Sequence, residues 1–206
     1  MAGIDIVLDT LFNNPNLPID PVLGFFDDFN RADGPIGVTS GEGRAWSKLN
    51  ILSGDGSAVV SSNQAAAAGT TGAYAYTVDA GTGNGTLSTT ITTVSTDGNT
   101  RLLARFQDYD NTLMLTTVTA TGRMQLVKKV AAVSTTIGDI AITSAQVNGK
   151  VLEIVMSGTS VSVKLDGATV IGPLTVTDLT ANTKNGFYFN ATQSKTARYD
   201  NFRFAV

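Results

Sequence analysis

The chain has 206 residues, 42% of them hydrophobic and 15% charged, which is enough apolar material for a folded core and excludes wholesale disorder. It contains no cysteine and no histidine, so thiol or imidazole nucleophile systems and metal sites built on those ligands are excluded; a metal would need oxygen ligands. The net charge of −3 and the pI near 4.8 argue against a nucleic-acid surface, which should be basic.

The first 23 residues differ from the rest of the chain. Residues 1–30 carry five acidic residues and no lysine or arginine, and Pro15, Pro18 and Pro21 favour an extended backbone. We predict an extended docking arm over residues 1–23, which packs along its own domain or docks onto a neighbouring subunit. The side chains expected to dock are apolar, some of them at helical spacing: Ile4, Val7, Leu8, Leu11 and Phe12. No secretion signal and no run of about 18 apolar residues for a membrane span are visible.

From residue 24 onward the sequence predicts β-strands. Val161, Val163 and Leu165 alternate with polar residues, and Asp166-Gly167 is a tight-turn signal after them. Strands of this kind recur every 8–12 residues or so and point to an antiparallel sandwich or barrel without a long helix. The low-complexity stretch 64–85 is predicted to be loop, apart from a strand at 73–78.

Four segments together resemble the concanavalin-A-like lectin/glucanase (laminin-G-like) jelly-roll superfamily. They are FDDFNRADG at 26–34, Trp46, RFQDYDN at 105–111 and YDNFRF at 199–204. The resemblance implies an all-β, two-sheet antiparallel jelly-roll sandwich over residues 24–206, in which the opening FDDF strand pairs with the closing DNFR strand. The pairing would place four phenylalanines at the seam: Phe25, Phe29, Phe202 and Phe204. The phrase DDFNRADGPIG is also similar to the openings of minor tail and other virion proteins of bacteriophages of high-GC Gram-positive hosts.

Catalysis is not expected, although the superfamily includes glucanases. Retaining glycosidases need two carboxylates about 5–5.5 Å apart, which the family's enzymes carry as a Glu-x-Asp-x-Glu run on one strand. The only glutamates here are Glu42 and Glu153, far apart in the sequence. Asp108 and Asp110 are two positions apart, but Asp110-Asn111 is typical of a turn. We therefore predict a protein that is not an enzyme and has no catalytic residues.

A structural calcium ion is a further hypothesis, because sandwiches of this type often bind one near the terminal strands. The candidate ligands are aspartates that the strand pairing would bring close together: Asp27, Asp28, Asp33 and Asp200. The alternative is that these carboxylates cap turns and pair with Arg31, Arg198 or Arg203. The sequence contains no contiguous calcium-binding loop.

Glycan binding would use exposed aromatic rings together with hydrogen-bonding side chains. Tyr74 and Tyr76 fall on one face of a strand, and Tyr188 is predicted to point away from the core because Phe187 and Phe189 point into it. Trp46 is a fourth candidate, with the alternative that a lone tryptophan lies in the core of a sandwich. Tyr109 belongs to the same group of aromatic residues. The basic pair 128–129 is expected to point to opposite faces of one strand and therefore forms no basic patch.

These observations predict a bacteriophage virion protein, either a capsid decoration or a minor tail protein, that is assembled in the host cytoplasm. The arm would anchor it to other virion subunits, with homo-oligomer formation, and the sandwich would be exposed and able to bind host-surface glycans. The alternative is a lectin-like, carbohydrate-binding adhesion module. Nucleic acid is not expected as a partner.

Overall fold

The computed structural model of the chain describes residues 24–95, 101–118, 120–190 and 196–206. The predicted docking arm, with Ile4, Val7, Leu8, Leu11 and Phe12, lies outside the described residues. No helix among the described residues is long and apolar enough to cross a membrane.

Strands form almost all of the regular structure in the described ranges. In chain order they are β1 (Phe25–Asp27), β2 (Gly34–Pro35), β3 (Ser47–Leu52), β4 (Ser57–Val60), β5 (Ala65–Ala68), β6 (Ala73–Asp79), β7 (Gly85–Thr93), β8 (Arg101–Asp108), β9 (Asn111–Thr116), β10 (Arg123–Val130), β11 (Val133–Ala141), β12 (Lys150–Ser157), β13 (Ser160–Leu165), β14 (Ala168–Thr175), β15 (Lys184–Asn190) and β16 (Arg198–Ala205). One short helix, α1 (Ser144–Val147), lies between β11 and β12. The sequence-based prediction of an all-β chain is confirmed.

The strands form two sheets. Sheet I has the order β14-β13-β12-β7-β16-β5-β4-β2, with β1 also paired to β16, and sheet II has the order β11-β10-β9-β8-β15-β6-β3. The strand pairs of the described residues are antiparallel. The two sheets pack face to face, so the predicted two-sheet antiparallel sandwich is confirmed.

The main core lies between the sheets and follows the period of two in each strand. Leu152, Ile154 and Met156 of β12 are buried there, and each contributes about 1.5–3 kcal/mol if its side chain is fully removed from water. Tyr199 of sheet I crosses the core, and its hydroxyl donates a 3.1 Å hydrogen bond to the Arg101 carbonyl of sheet II. Burial raises the pKa of Tyr199 far above its ordinary value. The core therefore has a polar link between the sheets as well as apolar contacts.

The two ends of the sandwich domain meet in sheet I. β1 pairs with β16 so that Phe25 is opposite Phe204 and Asp27 is opposite Phe202. These three phenylalanines and Phe29 are at most 2% exposed, and the Phe25 and Phe202 rings stack with their centroids 6.0 Å apart. The predicted pairing of the FDDF and DNFR strands is confirmed.

The alanine run at Ala65–Ala68 is a strand, and the prediction of a loop there is wrong. β5 pairs with β4 along its length, and with β16 at Ala65 and Ala66. Hydrogen bonds to two neighbouring strands outweigh the low intrinsic strand preference of alanine. The neighbouring prediction of a strand at 73–78 is confirmed by β6.

One side of the sandwich is closed and the other is open. At the closed side β11 packs on β14 so tightly that a Cβ atom on Gly138 would lie 2.3 Å from Cγ2 of Ile171. At the other side the last strands of the two sheets are β2 and β3, which are not paired with each other in the described part of the chain. This open side holds a cleft that is described below.

Candidate functional site

The outer face of sheet II carries a second apolar cluster, separate from the main core. In β9, Leu113 and Leu115 point into the core, whereas Met114 between them points outward. Neighbouring strands follow the same alternation. The outward cluster consists of Ala73, Ala75, Leu103, Phe106, Met114 and Tyr188, with Ile51, Tyr109 and Val127 packed against it. The first six residues are at most 6% exposed, so the cluster is buried on the outer side of sheet II, with half-buried side chains at its margin.

Two tyrosines and two cations stack on this face, and we call these four residues the tyrosine column. The Tyr109 and Tyr188 rings are 6.1 Å apart between centroids, with an interplanar angle of 21°. Lys129 Nζ lies 3.8 Å from the Tyr109 centroid, and Arg101 Cζ lies 4.9 Å from the Tyr188 centroid. Cations over aromatic faces are attracted by the ring quadrupole. The column is therefore a cation-tyrosine-tyrosine-cation arrangement that crosses several strands of sheet II.

Tyr109 reaches the column because of the turn between β8 and β9. Asp108 Oδ1 accepts hydrogen bonds from the Asp110 backbone N–H at 2.8 Å and from Asn111 Nδ2 at 3.0 Å. An aspartate that accepts from the backbone two residues later stabilises a tight turn. The turn consists of Tyr109 and Asp110, one residue earlier than the predicted Asp110-Asn111, and Asp108 and Asp110 do not share a face of one strand. The turn side chain Tyr109 is half-buried against Tyr188.

Arg105 anchors the strand that leads into this turn. It has a positive φ of 47°, at an irregular register between β8 and β9, and its side chain is completely buried. Its Nε donates to the Gly83 carbonyl at 3.0 Å, and its Nη2 donates to the Gly158 carbonyl at 2.6 Å. Burial lowers the pKa of Arg105. The guanidinium thus ties the end of β8 to loops that flank sheet I.

The adjacent lysines of β10 point to opposite faces, as predicted. Lys129 forms an ion pair with Asp110 at 2.7 Å on the outer face, where only 10% of its side chain is exposed. Lys128 forms an ion pair of 2.5 Å with Asp178 instead. The Asp178 carboxyl has a lowered pKa because of its hydrogen bond with Lys128.

Three of the predicted glycan-binding aromatics belong to strands of sheet II, and they are divided between its two faces. Tyr188 points outward as predicted, and burial raises its pKa. Tyr74 and Tyr76 share a face as predicted, but that face is the inner one, so their proposed exposure on the surface is wrong. Their neighbours Ala73 and Ala75 point outward. β6 buries its large rings because the core between the sheets needs the larger volume.

Trp46 lies in the main core, which confirms the alternative interpretation of this residue and corrects its proposed exposure. Its ring is 7% exposed and packs 4.9 Å from the Phe187 ring between centroids. Its Nε1 donates a 2.7 Å hydrogen bond to Asp27. A buried indole N–H normally has such a partner.

The residues Arg101, Lys129 and Arg105 were not among the site residues predicted from the sequence. Their placement depends on which strands are neighbours and in which register. Tyr188 is opposite Arg101 because β15 pairs with β8, a pairing between segments far apart in the chain. Alternation along β10 indicates that Lys129 points away from the core, but it does not show which residue Lys129 contacts.

The four aspartates proposed as calcium ligands have separate partners. Asp27 is completely buried and forms a bidentate ion pair with Arg31, at 2.6 and 3.1 Å. Asp33 accepts a hydrogen bond from the Ser62 backbone N–H at 2.8 Å. In the part of the chain that the structure describes, no group of three or more acidic, histidine or cysteine side chains could hold a metal ion. These contacts correspond to the alternative of turn capping and arginine pairing.

Asp28 and Asp200 interact across the seam, as the pairing of the terminal strands predicted. Burial, and to a smaller degree the charge of Asp28, raises the pKa of Asp200. The pKa of Asp28 is lowered, mainly by the hydrogen bond that its carboxylate accepts from the Asn30 backbone N–H. Two carboxylates in proximity repel each other, and a cation between them would relieve this repulsion. Two side chains alone, however, do not supply the roughly six to eight oxygen ligands that calcium takes.

The sequence matches no protein-family model, and no curated protein is similar to it in sequence. Solved structures do have the same fold. A prokaryotic beta-1,3-1,4-glucanase (lichenase) derived from a mouse hindgut metagenome superimposes with a TM-score of 0.59 at 9% identity, over 88% of this chain and 98% of that chain. The carbohydrate-binding module CBM66 from Bacillus subtilis has a TM-score of 0.55 at 12% identity, over 77% and 95% of the two chains.

A third similar structure is the CBM2 module of the evolved Dit of Lactobacillus casei BL23 phage J-1. It has a TM-score of 0.52 at 13% identity, over 87% of this chain and 93% of that chain. At such identities the likeness shows the fold alone, which is a concanavalin-like jelly-roll sandwich. Because glucanases and carbohydrate-binding modules share this fold, the fold does not show whether the chain is catalytic.

Proposed function

We propose that the protein is a non-enzymatic glycan-binding component of a bacteriophage virion, and that the outer face of sheet II is its binding surface. The observation that carries this proposal is the tyrosine column. Its stacked rings, Tyr109 and Tyr188, lie on a sheet face turned away from the core. Tyr188 is only 4% exposed, so a ligand would reach the column at the half-buried Tyr109.

The chemistry of this face suits a sugar. Tyr109 is half-buried, with the Lys129 ammonium 3.8 Å and the Tyr188 centroid 6.1 Å from its ring centroid, and a pyranose would contact the part of the ring that these two neighbours leave open. Gln125 and Asn190 are half-buried side chains of the outward-facing rows of β10 and β15, where Gln125 pairs with Asp139 and Asn190 with Tyr188, and the remaining donors and acceptors of these amides suit hydroxyl groups. Few polar groups set among apolar ones are typical of small-ligand sites.

The absence of catalysis is part of the proposal and rests on the carboxylates of the described residues. Glu42 accepts a hydrogen bond from the Phe26 backbone N–H at 2.8 Å, and Glu153 lies on β12 of sheet I. Asp108 is committed to its turn, and Asp110 to Lys129. Glycoside hydrolysis needs two carboxylates that flank the scissile bond, and the outer face of sheet II offers no such pair among these four.

A glycan array probed with the full chain tests the binding role. We expect binding to at least one bacterial surface glycan, weakened about tenfold by Tyr109→Ala, which corresponds to about 1.4 kcal/mol. Val133→Ala, on the exposed edge strand β11, is the matched control and should bind like the wild type. A chain that binds no glycan, or equal binding by both variants, would contradict the proposed role of this face.

The virion location is supported by the DDFNRADGPIG phrase and by the fold shared with a module of a phage Dit. In this proposal residues 1–23 anchor the protein to other virion subunits, as a minor tail or capsid decoration protein that forms a homo-oligomer. Mass spectrometry of purified virions should detect the full chain but not a version that lacks residues 1–23. Glycan binding without any incorporation into particles would favour the alternative of a lectin-like adhesion module.

A further inference from the structure

The open side of the sandwich holds a cleft of about 390 Å³, which we call the edge cleft. It lies between β2 and β4 of sheet I and β3 and β6 of sheet II. The lining residues that matter here are Ile36, Trp46, Lys48, Ser57, Ala58 and Tyr76. Because Lys48 and Tyr76 are on the inner side of sheet II, the edge cleft is distinct from the tyrosine column on the outer side.

Two aromatic rings line the cleft with carbon surface. Trp46 and Tyr76 are each 7% exposed, so most of each ring is held by the core. The Trp46 indole N–H donates to Asp27 inside the protein and is therefore not a donor for a ligand. The cleft therefore meets the carbon surface of these two rings. Aromatic carbon surface packs well against the C–H groups of a ring-shaped ligand.

The charged side chain among the lining residues is Lys48. Its ammonium donates to the Gly56 carbonyl at 2.7 Å and lies 5.4 Å from the Tyr74 ring centroid. An ammonium group has three donors, and this carbonyl uses one of them. None of the described residues that line the cleft is acidic, and Lys48 forms no ion pair with a carboxylate in the described ranges. The charge of the cleft therefore favours an anionic ligand.

We propose that the edge cleft binds a single hexuronate residue, with the sugar ring against Trp46 and Tyr76 and the carboxylate on the Lys48 ammonium. The volume of the edge cleft is near the lower end of the range for small-ligand sites, which suits a ligand of a single sugar ring. A charge-assisted hydrogen bond to the carboxylate distinguishes a uronic acid from a neutral hexose of the same shape. This site is independent of the proposed glycan surface on sheet II.

Intrinsic fluorescence tests the proposal, because Trp46 is the only tryptophan of the sequence. The full chain is titrated with galacturonate, and with galactose as the neutral control of the same ring. We expect a saturable change of Trp46 emission with galacturonate, with a Kd on the order of 1 mM. Galactose should bind at least about tenfold more weakly, because the hydrogen bond between the galacturonate carboxylate and the Lys48 ammonium contributes more than about 1.4 kcal/mol. No saturable change, or equal binding of both sugars, would overturn the proposal.

Two lysine variants make the test specific. Lys48→Gln retains a donor for the Gly56 carbonyl but removes the charge, and we expect it to lower the affinity for galacturonate to that for galactose. Lys164→Met, on β13 of sheet I, removes a lysine away from the cleft and should titrate like the wild type. Unchanged binding by Lys48→Gln would overturn the assignment of the carboxylate contact. Tyr109→Ala should leave this titration unchanged, so the result is separate from that of the glycan array.

Discussion

The indole Nε1 of Trp46 donates a hydrogen bond of 2.7 Å to the Oδ2 atom of Asp27, and both groups are buried. Asp27 belongs to β1 in sheet I, whereas Trp46 directly precedes β3 in sheet II. The carboxylate also accepts two hydrogen bonds from Arg31 and one from the Phe29 backbone N–H. One aspartate therefore joins the opening strand, its following turn and the opposite sheet.

Removal of this carboxylate should be costly for the fold. Asp27→Ala leaves the Trp46 N–H and the Arg31 guanidinium without their acceptor. We expect a loss of about 3 kcal/mol in the free energy of unfolding. This is the lower end of the range for broken buried ion pairs, because the Arg31 side chain is 28% exposed. Urea unfolding followed by Trp46 fluorescence measures it. Asp139→Ala, which breaks the exposed pair with Arg123, is the control and should lose much less. Equal losses in the two variants would show that the buried network has no special role.

The adjacent lysines of β10 provide a matched pair for the glycan surface. Lys129→Met removes the cation over Tyr109 and its ion pair with Asp110, and we expect it to weaken binding to an array-positive glycan several-fold. Lys128→Met changes the other face of the same strand and should leave the affinity unchanged. Isothermal titration calorimetry with the identified glycan gives both values. A stronger effect of Lys128→Met would place the binding surface elsewhere.

Asp55 should make stability depend on acid pH. The backbone N–H groups of Thr70 and Thr71 donate to its carboxylate and hold its pKa far below the ordinary value of 3.8. Since the folded pKa is depressed, the stabilisation is complete above the unfolded value and is lost as the pH falls through the lower, folded value. Asp55→Asn should therefore be less stable than the wild type above about pH 4, and the difference should shrink at lower pH.

Urea midpoints of both proteins from pH 7 downward measure this difference. A difference that grows as the pH falls would contradict the assignment of the hydrogen bonds to the ionised Asp55 carboxylate.

The separate partners of the predicted calcium ligands lead to a clear expectation for metal removal. Asp27 is committed to Arg31 and Trp46, and Asp33 to the Ser62 backbone. We expect the thermal midpoint of the full chain to be the same with a chelator and with added calcium. A midpoint that rises with calcium would revive the hypothesis of a structural ion near Asp28 and Asp200, because binding to the folded state alone raises stability.

The sequence by itself was sufficient for local strand structure. Apolar residues at every second position of 152–156 and 161–165, with Gly158 between them, are typical of a hairpin, and β12 and β13 form it. The pairing of the seam strands was also predicted before the structure, from the resemblance to the jelly-roll superfamily, and it removes two open strand edges.

Tertiary structure decided which face of a strand is the inner one wherever both faces are apolar. In β6 the alternation separates Tyr74 and Tyr76 from Ala73 and Ala75, but a period of two does not tell which set faces the other sheet. The choice depends on the volume that the core must fill, which is a property of the packed sheets and not of the strand.

The tyrosine column likewise exists only in the folded chain. Lys129, Tyr109, Tyr188 and Arg101 come from distant segments, and the pairing of β15 with β8 and of β9 with β10 brings them together. Hydrophobic periodicity therefore determined from the sequence that the chain forms antiparallel β-strands, because it acts between near neighbours, whereas the choice of a sandwich came from the family resemblance. The location of its ligand-binding groups was decided by long-range register, which is set by the free energy of the whole packed structure.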